Sequence, residues 1–227
     1  WGEFDPKKTY LVGSDVATGS GKDYSTIEVY ELETLKQVAE YRSNKIKEHQ
    51  LYTAIKFITR HIVNVQDKQT GKRPKVYWSF ENNAVGRAIV NLYLRDAKFE
   101  EELEKLFNGK LEDSPELISD DGKTGFTTGH RTKVEAVKTM KNLLEKVKGG
   151  FQIKSKFLIS ELKEYIQKGN SYEAKDGATD DLVSATLIVC RIIQKIMEYD
   201  DDIFTKVMNP DEDFVDDEYG EDPLPFI

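Results

Sequence analysis

The first part of the chain consists of short apolar runs separated by polar or glycine-containing segments. Thr9 to Asp15 is apolar and short enough for a buried strand, and Ser25 to Glu31 alternates between two faces. Gln37 to Ser43 is a third strand candidate. Because the connections are short, the sequence predicts that these three strands form an antiparallel meander.

A helical pattern follows from about His49. Its apolar residues recur at spacings of three and four, which predicts one buried stripe. The stripe consists of Leu51, Ile55, Ile58, Ile62 and Val65. Pro74 to Glu81 then reads as a fourth strand, and a second helix is predicted to begin near Asn83.

The second half begins with a polar, glycine-containing segment, residues 108–130, which is predicted to be a loop or insertion. The elements predicted after it are a helix from Arg131 to Lys148, a strand from Phe151 to Ile153, a helix from Ser155 to Lys168 ended by Gly169, a strand from Ser171 to Lys175 and a helix beginning near Thr179–Asp181. Strands followed by alternating helices and strands predict an α/β fold, a mixed sheet with helices on both faces.

The net charge of −8 is unevenly distributed along the 227 residues. Residues 198–227 contain twelve Asp or Glu and one Lys, a net charge of −11, which leaves +3 for the rest. A mildly basic body is compatible with a nucleic-acid partner, and the acidic end reads as a solvated tail. The single cysteine, Cys190, excludes an internal disulfide and a cysteine-based zinc site. No apolar run approaches the length of a membrane span.

The stretch from Gly13 to Ser25 contains Gly-Ser-Gly-Lys and partly resembles a phosphate-binding loop. A Walker A loop needs a glycine five residues before its Gly-Lys pair and a hydroxyl residue after it. Here Val16 and Asp23 occupy those two positions, and the predicted elements on both sides are strands. The sequence therefore argues against ATP binding at this loop.

Acidic residues occur where predicted strands or helices begin or end. Asp15 ends the first strand, Glu81 ends the fourth, and Asp180 and Asp181 open the last helix. If the first and fourth strands are parallel neighbours, Asp15 and Glu81 lie side by side. Clustered carboxylates repel one another unless a cation lies between them, and oxygen ligands select Mg²⁺ or Mn²⁺. Two such ions are the usual device for phosphodiester hydrolysis.

Each acid also has a purely structural interpretation. Asp15 could be a turn residue, and Glu81 the exposed end of a strand. Asp180 and Asp181 are residue types that favour a helix N-terminus through capping and the helix dipole. Their joint placement in this order of elements is what favours a metal site.

Four motifs in this order carry a resemblance to a known family. The chain resembles the C-terminal nuclease domain of the large terminase subunit of tailed bacteriophages, especially the T-even-like group. The resemblance extends from about Thr9 to about Asp200. The matching motifs are Tyr10 to Ser25, Trp78 to Gly86, Thr127 to Lys133 and Gly177 to Ala185.

The resemblance implies a ribonuclease H-like fold over residues 1–199, followed by an acidic tail at 200–227. It implies a metal-dependent endonuclease that cuts concatemeric viral double-stranded DNA during genome packaging. The implied cofactors are two Mg²⁺ or Mn²⁺ ions. The implied partners are double-stranded DNA, the terminase ATPase domain, the small terminase subunit and the portal ring. The implied location is the host cell cytoplasm.

By the same resemblance, Asp15, Glu81 and Asp181 are catalytic metal ligands. Asp180 is an adjacent candidate whose role could be exchanged with that of Asp181, and Asp23 matches a further acid of the loop. The sequence departs from the family at Thr179, where related members often carry His. This departure is expected to change local hydrogen bonding without abolishing metal binding.

Basic residues beside these motifs are candidates for contacts with the DNA backbone. They are Lys22, Arg87, His130, Arg131 and Lys133. Because the family cuts largely without regard to sequence, phosphate contacts suit it better than base contacts.

Two alternatives remain open at this point. One is another ribonuclease H-like nuclease, such as a junction resolvase or an integrase-type enzyme. The other is a non-catalytic module that docks on a motor or portal.

Overall fold

The computed structural model describes residues 3–107, 114–146 and 148–199. The acidic tail predicted at 200–227 and part of the predicted insertion, 108–113, lie outside the described residues. The strands are β1 (Thr9–Asp15), β2 (Ser25–Glu31), β3 (Lys36–Ser43), β4 (Lys75–Phe80), β5 (Glu116–Leu117), β6 (Tyr165–Lys168) and β7 (Ser171–Ala174). The helices are α1 (Glu48–Val63), α2 (Arg87–Phe107), α3 (His130–Glu145), α4 (Lys156–Glu164) and α5 (Asp181–Met197).

The main sheet is mixed and has the strand order β3-β2-β1-β4-β5. Strands β1, β2 and β3 form the antiparallel meander, whereas β4 pairs parallel to β1 and β5 pairs parallel to β4. The predicted fold class is confirmed. The parallel pairing of β1 with β4 brings the carboxyl ends of both strands to the same edge of the sheet.

Both faces of the sheet are buried. Tyr10 and Val12 face the cluster that contains α1, while Leu11 faces the cluster that contains α5. The contact with α5 is close at Gly13, where a Cβ atom would lie 2.5 Å from the carbonyl oxygen of Ala185. A glycine at this position lets the backbone of α5 pack directly against β1, and this contact sets the distance between the helix and the sheet.

Several sequence predictions are wrong in detail. The helix predicted to reach Lys148 ends at Glu145, and the helix predicted to begin near Asn83 begins at Arg87. Phe151 to Ile153 is not a strand, because only Gln152 forms a single parallel bridge, to Lys36. The helix predicted to end at Lys168 ends at Glu164. Part of the predicted loop at 108–130 is ordered against the sheet, since it contains β5 and a parallel bridge between Phe126 and Glu81.

The early end of α4 has a local reason. Tyr165 and Ile166 are residue types that favour strands, and they pair with β7 across the turn at Gly169 and Asn170. Gly169 has a φ of 62° and therefore makes a hairpin turn, where the sequence had suggested a helix stop. Among the described residues, the structure has no helix both long and apolar enough to cross a membrane.

Candidate active site

Asp15 and Glu81 lie side by side at the carboxyl edge of the sheet. Asp15 is the last residue of β1, and Glu81 directly follows β4, its backbone N–H donating to the carbonyl oxygen of Ser14 at 3.0 Å. The two side chains are within hydrogen-bond reach of each other. Two carboxylates this close repel each other unless a positive charge lies between them.

The electrostatics of Asp15 reflect its position. Burial raises the pKa of Asp15 well above its ordinary range, and the neighbouring charge of Glu81 raises it further. The negative charge of Asp181 raises the pKa of Asp15 further. The N–H of Val16, which donates to Asp15 Oδ1 at 2.8 Å, lowers this pKa. A carboxylate at this position is therefore costly without a compensating positive charge.

Asp181 is brought to this edge by a contact between α5 and β2. The hydroxyl of Thr26 donates to the carbonyl oxygen of Asp181 at 2.8 Å, and Thr26 is the residue opposite Asp15 in the β1–β2 ladder. Burial raises the pKa of Asp181 to about 6, despite a hydrogen bond from the backbone N–H of Tyr24. Its Oδ2 atom is buried and has no hydrogen-bond partner among the described residues.

These features test whether the site suits a divalent cation. Within residues 3–107, 114–146 and 148–199, no three His, Cys, Asp or Glu side chains are already arranged to hold a metal ion. The donor set nevertheless fits a hard cation, because it consists of carboxylate oxygens only. A cation here would give the buried Oδ2 of Asp181 a partner and would offset the repulsion between Asp15 and Glu81.

Asn83 fixes the orientation of Glu81, and sequence reasoning had not assigned it a role. Its side-chain amide donates to Glu81 Oε2 at 3.0 Å and to the carbonyl oxygen of Val16 at 3.3 Å. Its Oδ1 atom accepts the N–H groups of Val85 and Gly86. Asn83 therefore connects the turn after β4 to the end of β1. An Asn two residues after an acidic strand end is the only sequence signal for this role.

Asp180 and Asp23 both lie near Asp181, but their surroundings differ. Asp180 Oδ2 is 4.0 Å from the Nζ atom of Lys133, which itself lies above the ring of Tyr165. Asp23 is exposed in the loop between β1 and β2, and its charge contributes to the raised pKa of Asp181. The structure thus places Asp15, Glu81 and Asp181 at one edge of the sheet, with Asp180 and Asp23 near Asp181. Their roles as metal ligands stay predictions.

The loop that carries Lys22 joins two strands. The N–H of Gly21 donates to the carbonyl oxygen of Asn44 at 2.9 Å, and the Asn44 side chain donates back to Gly21. This contact fixes the loop against the end of β3. The geometry offers no helix N-terminus for a nucleotide phosphate, in line with the sequence argument against ATP binding.

The candidate DNA-binding residues differ in their exposure and in the groups that they contact. Lys22 and Arg87 are exposed, Arg87 as the first residue of α2. His130 and Arg131 open α3, where His130 Nε2 lies 2.6 Å from the carbonyl oxygen of Asn170 and Arg131 pairs with an acid one turn along. Lys133 lies in a small cleft together with Glu81. Binding of DNA by these residues stays a prediction.

Comparison with known proteins adds to this geometry. The sequence matches no protein-family profile. Among solved structures, the large terminase nuclease of thermophilic phage G20c with bound magnesium is 18% identical, with a TM-score of 0.55 over 84% of either chain. Its cobalt-bound form gives the same values. The large terminase nuclease domain of Thermus phage P74-26 is 17% identical, with a TM-score of 0.51 over 82% of this chain and 80% of that one. The resemblance is confirmed at the level of the fold: the chain has the ribonuclease H-like fold of large terminase nuclease domains.

Proposed function

We propose that the chain is a divalent-metal-dependent endonuclease that cuts concatemeric viral double-stranded DNA during genome packaging. The observation that carries the proposal is the meeting of Asp15, Glu81 and Asp181 at one sheet edge, with a buried carboxylate oxygen left unpartnered. Neighbours of the same fold were solved with bound magnesium, cobalt and zinc. Those structures support a divalent cation as cofactor.

Asp15, Glu81 and Asp181 would hold Mg²⁺ or Mn²⁺, with Asp180 and Asp23 as further candidate ligands beside Asp181. Two such ions supply an activated water and stabilisation of the leaving oxygen. The protein keeps the carboxylates at the same edge through the β1–β4 pairing and the α5–β2 contact. Rigid elements of this kind hold ligands more accurately than a loop does.

The positive groups around the acids would hold the scissile strand. Lys133 is beside the carboxylates, while Lys22 and Arg87 are exposed on the neighbouring loop and helix. Contacts of this type go to phosphates and carry no sequence information. This arrangement suits cutting that is largely independent of sequence.

Within a packaging machine, the partners we propose are the terminase ATPase domain, the small terminase subunit and the portal ring, acting in the host cytoplasm. These partners follow from the family resemblance. Pull-down of each purified partner with this chain would test them one at a time.

Cleavage of supercoiled plasmid DNA tests the activity directly. The wild type should cut in Mg²⁺ or Mn²⁺ and not in EDTA. Asp15→Asn, Glu81→Gln and Asp181→Asn should each remove cutting, because each loses one carboxylate of the site. Asp121→Asn is a matched control, since Asp121 is 88% exposed and pairs with Lys195. A wild type that never cuts, or an Asp15→Asn variant that still does, would show that the assignment is wrong.

Substrate choice separates this proposal from the two alternatives. A packaging endonuclease should cut linear and supercoiled duplexes. A strong preference for four-way junctions would indicate a resolvase-type enzyme. Binding to a motor or portal protein without any cutting would indicate a docking module.

A further inference from the structure

The first turn of α5 is not capped by its own N-cap residue. Asp180 occupies the N-cap position but its side chain accepts no capping hydrogen bond. Asp is among the residue types that usually cap a helix, by accepting the N–H groups of the second and third helical residues. In α5 those residues are Leu182 and Val183. Another group must therefore satisfy their N–H groups, because Leu182 and Val183 are fully buried.

That group is the carboxylate of Glu161, which belongs to α4. Glu161 Oε2 accepts the N–H of Leu182 at 2.8 Å and the N–H of Val183 at 3.2 Å. Glu161 is 5% exposed. Twenty residues separate it from Asp181 in the sequence, so a distant side chain performs the role that the local Asp180 leaves unfilled.

The other oxygen of Glu161 is also engaged. Oε1 accepts the hydroxyl of Thr179 at 3.0 Å and lies 3.6 Å from an Nη2 atom of Arg42. Arg42 also contacts Thr179 at 3.3 Å. With both oxygens occupied, Glu161 is not available as a metal ligand. Thr179, the position of the family departure, thus helps to orient Glu161.

The same network reaches the side chain of Asp181. The guanidinium of Arg42 lies 3.7 Å above the ring of Tyr24, and the backbone N–H of Tyr24 donates to the Asp181 carboxylate. Glu161, on α4, therefore contacts the residues that follow Asp181, and Arg42, on β3, contacts Thr179, which precedes it.

We infer that Glu161 is a positioning residue of the site: by capping α5 in place of Asp180, it leaves the carboxylates of Asp180 and Asp181 free to face the cation. The inference rests on the proposed function, because it assigns a purpose to carboxylates that would hold the metal. Without Glu161, Asp180 can cap its own helix, as Asp does in most helices. That change would withdraw Asp180 from Lys133 and shift Asp181 with the helix turn.

The test is Mn²⁺ binding by isothermal titration calorimetry, on folded protein below its unfolding temperature. Glu161→Ala should bind Mn²⁺ about tenfold or more weakly, the loss typical when a residue that orients a metal ligand is removed. Glu161→Gln keeps an acceptor oxygen for the two N–H groups and should recover most of the affinity. Glu164→Gln is the matched control on α4, because Glu164 is 44% exposed and pairs with Lys175.

A merely structural role would lower the unfolding temperature of Glu161→Ala and leave Mn²⁺ affinity within about twofold of the wild type, a difference far below the usual effect. That result would overturn the inference. If Glu161→Ala does not fold, Glu161→Asp replaces it, because the shorter side chain keeps the charge but draws the carboxylate back from the N–H groups of Leu182 and Val183. Unchanged Mn²⁺ affinity in that variant overturns the inference equally.

Plasmid cleavage by the same proteins separates this inference from the proposed function. A wild type that binds Mn²⁺ but leaves DNA intact would contradict the endonuclease and leave the positioning role standing. A wild type that cuts, together with a Glu161→Ala variant of undiminished Mn²⁺ affinity, would contradict only the positioning role. A wild type that binds no Mn²⁺ would contradict both.

Discussion

Asp181 should make the metal-free protein less stable as the pH rises from about 4 to about 6. Burial raises the pKa of Asp181 from its ordinary 3.8 to about 6 in the folded protein. In the unfolded chain the side chain is solvated and keeps its ordinary pKa. The folded state therefore holds the proton more tightly, and ionisation favours unfolding.

The size of the effect follows from this difference of about two pKa units, which corresponds to about 3 kcal/mol. Below pH 3.8 both states carry the proton and there is no penalty. Between 3.8 and about 6 the unfolded chain loses its proton first, so the free energy of unfolding falls. Above about 6 the whole penalty is present. A divalent cation should remove it, because the ionised carboxylate then faces a positive charge.

Urea denaturation between pH 4 and pH 8 in EDTA measures this effect. The quantity of interest is the free energy of unfolding of Asp181→Asn minus that of the wild type. It should rise by about 2 kcal/mol between pH 4 and pH 7, because the unfolded side chain is already partly ionised at pH 4 and Asn carries no titrating group. Glu28 also has a raised pKa because of burial, but it titrates in both proteins and largely cancels. Asp15 adds to the difference in the same direction, because its pKa is raised partly by the charge of Asp181 and should be lower in Asp181→Asn.

The matched control is Asp176→Asn, because the side chain of Asp176 is 97% exposed. Its difference from the wild type should stay nearly flat with pH. A flat difference for Asp181→Asn would refute the reasoning, and so would a penalty that saturating Mg²⁺ leaves unchanged.

Three further predictions follow from the same contacts. Asn83→Ala should slow DNA cutting by about tenfold or more by releasing the Glu81 carboxylate, and cost only about 1 kcal/mol in urea denaturation. Gly13→Ala should lower the free energy of unfolding by about 1–3 kcal/mol, because its Cβ would meet the α5 backbone. Gly129→Ala should change it far less, because its Cβ would meet only the Thr132 hydroxyl, at an ordinary contact distance of 3.9 Å. Lys22→Ala should reduce the slope of log affinity for DNA against log salt by about one, measured by fluorescence anisotropy; an unchanged slope would remove Lys22 from the interface.

The elements that were predicted correctly from the sequence are those with a clear local pattern of apolar and polar residues. The bounds of β1 and β2 agree with prediction because each is an apolar or alternating run ended by polar turn residues. The contact between Asp15 and Glu81 was also predictable. It required only that the first and fourth strands be parallel neighbours, the condition stated from the sequence, and the sheet meets this condition.

Long-range contacts determine what the sequence missed. β5 is two residues long and exists only through pairing with β4, so no local periodicity could indicate it. Glu161 looks like an ordinary helix residue in the sequence, and its role depends on packing of α4 against the start of α5. Gly169 was read as a helix stop because both a helix C-terminus and a hairpin turn favour glycine. The choice between them depended on whether β6 had a partner strand.

The carboxylates at the sheet edge lower the stability of the metal-free protein. Burial raises the pKa of Asp15 well above its ordinary range, and Asp181 leaves a buried oxygen without a partner among the described residues. The structure satisfies the α5 N-terminus with Glu161 instead, and holds Glu81 with Asn83. If the acids only stabilised the fold, we would expect their own side chains to form these hydrogen bonds. Because Glu161 and Asn83 form these hydrogen bonds, the acidic side chains stay available for a cation. Binding of that cation would restore the stability that the metal-free protein lacks.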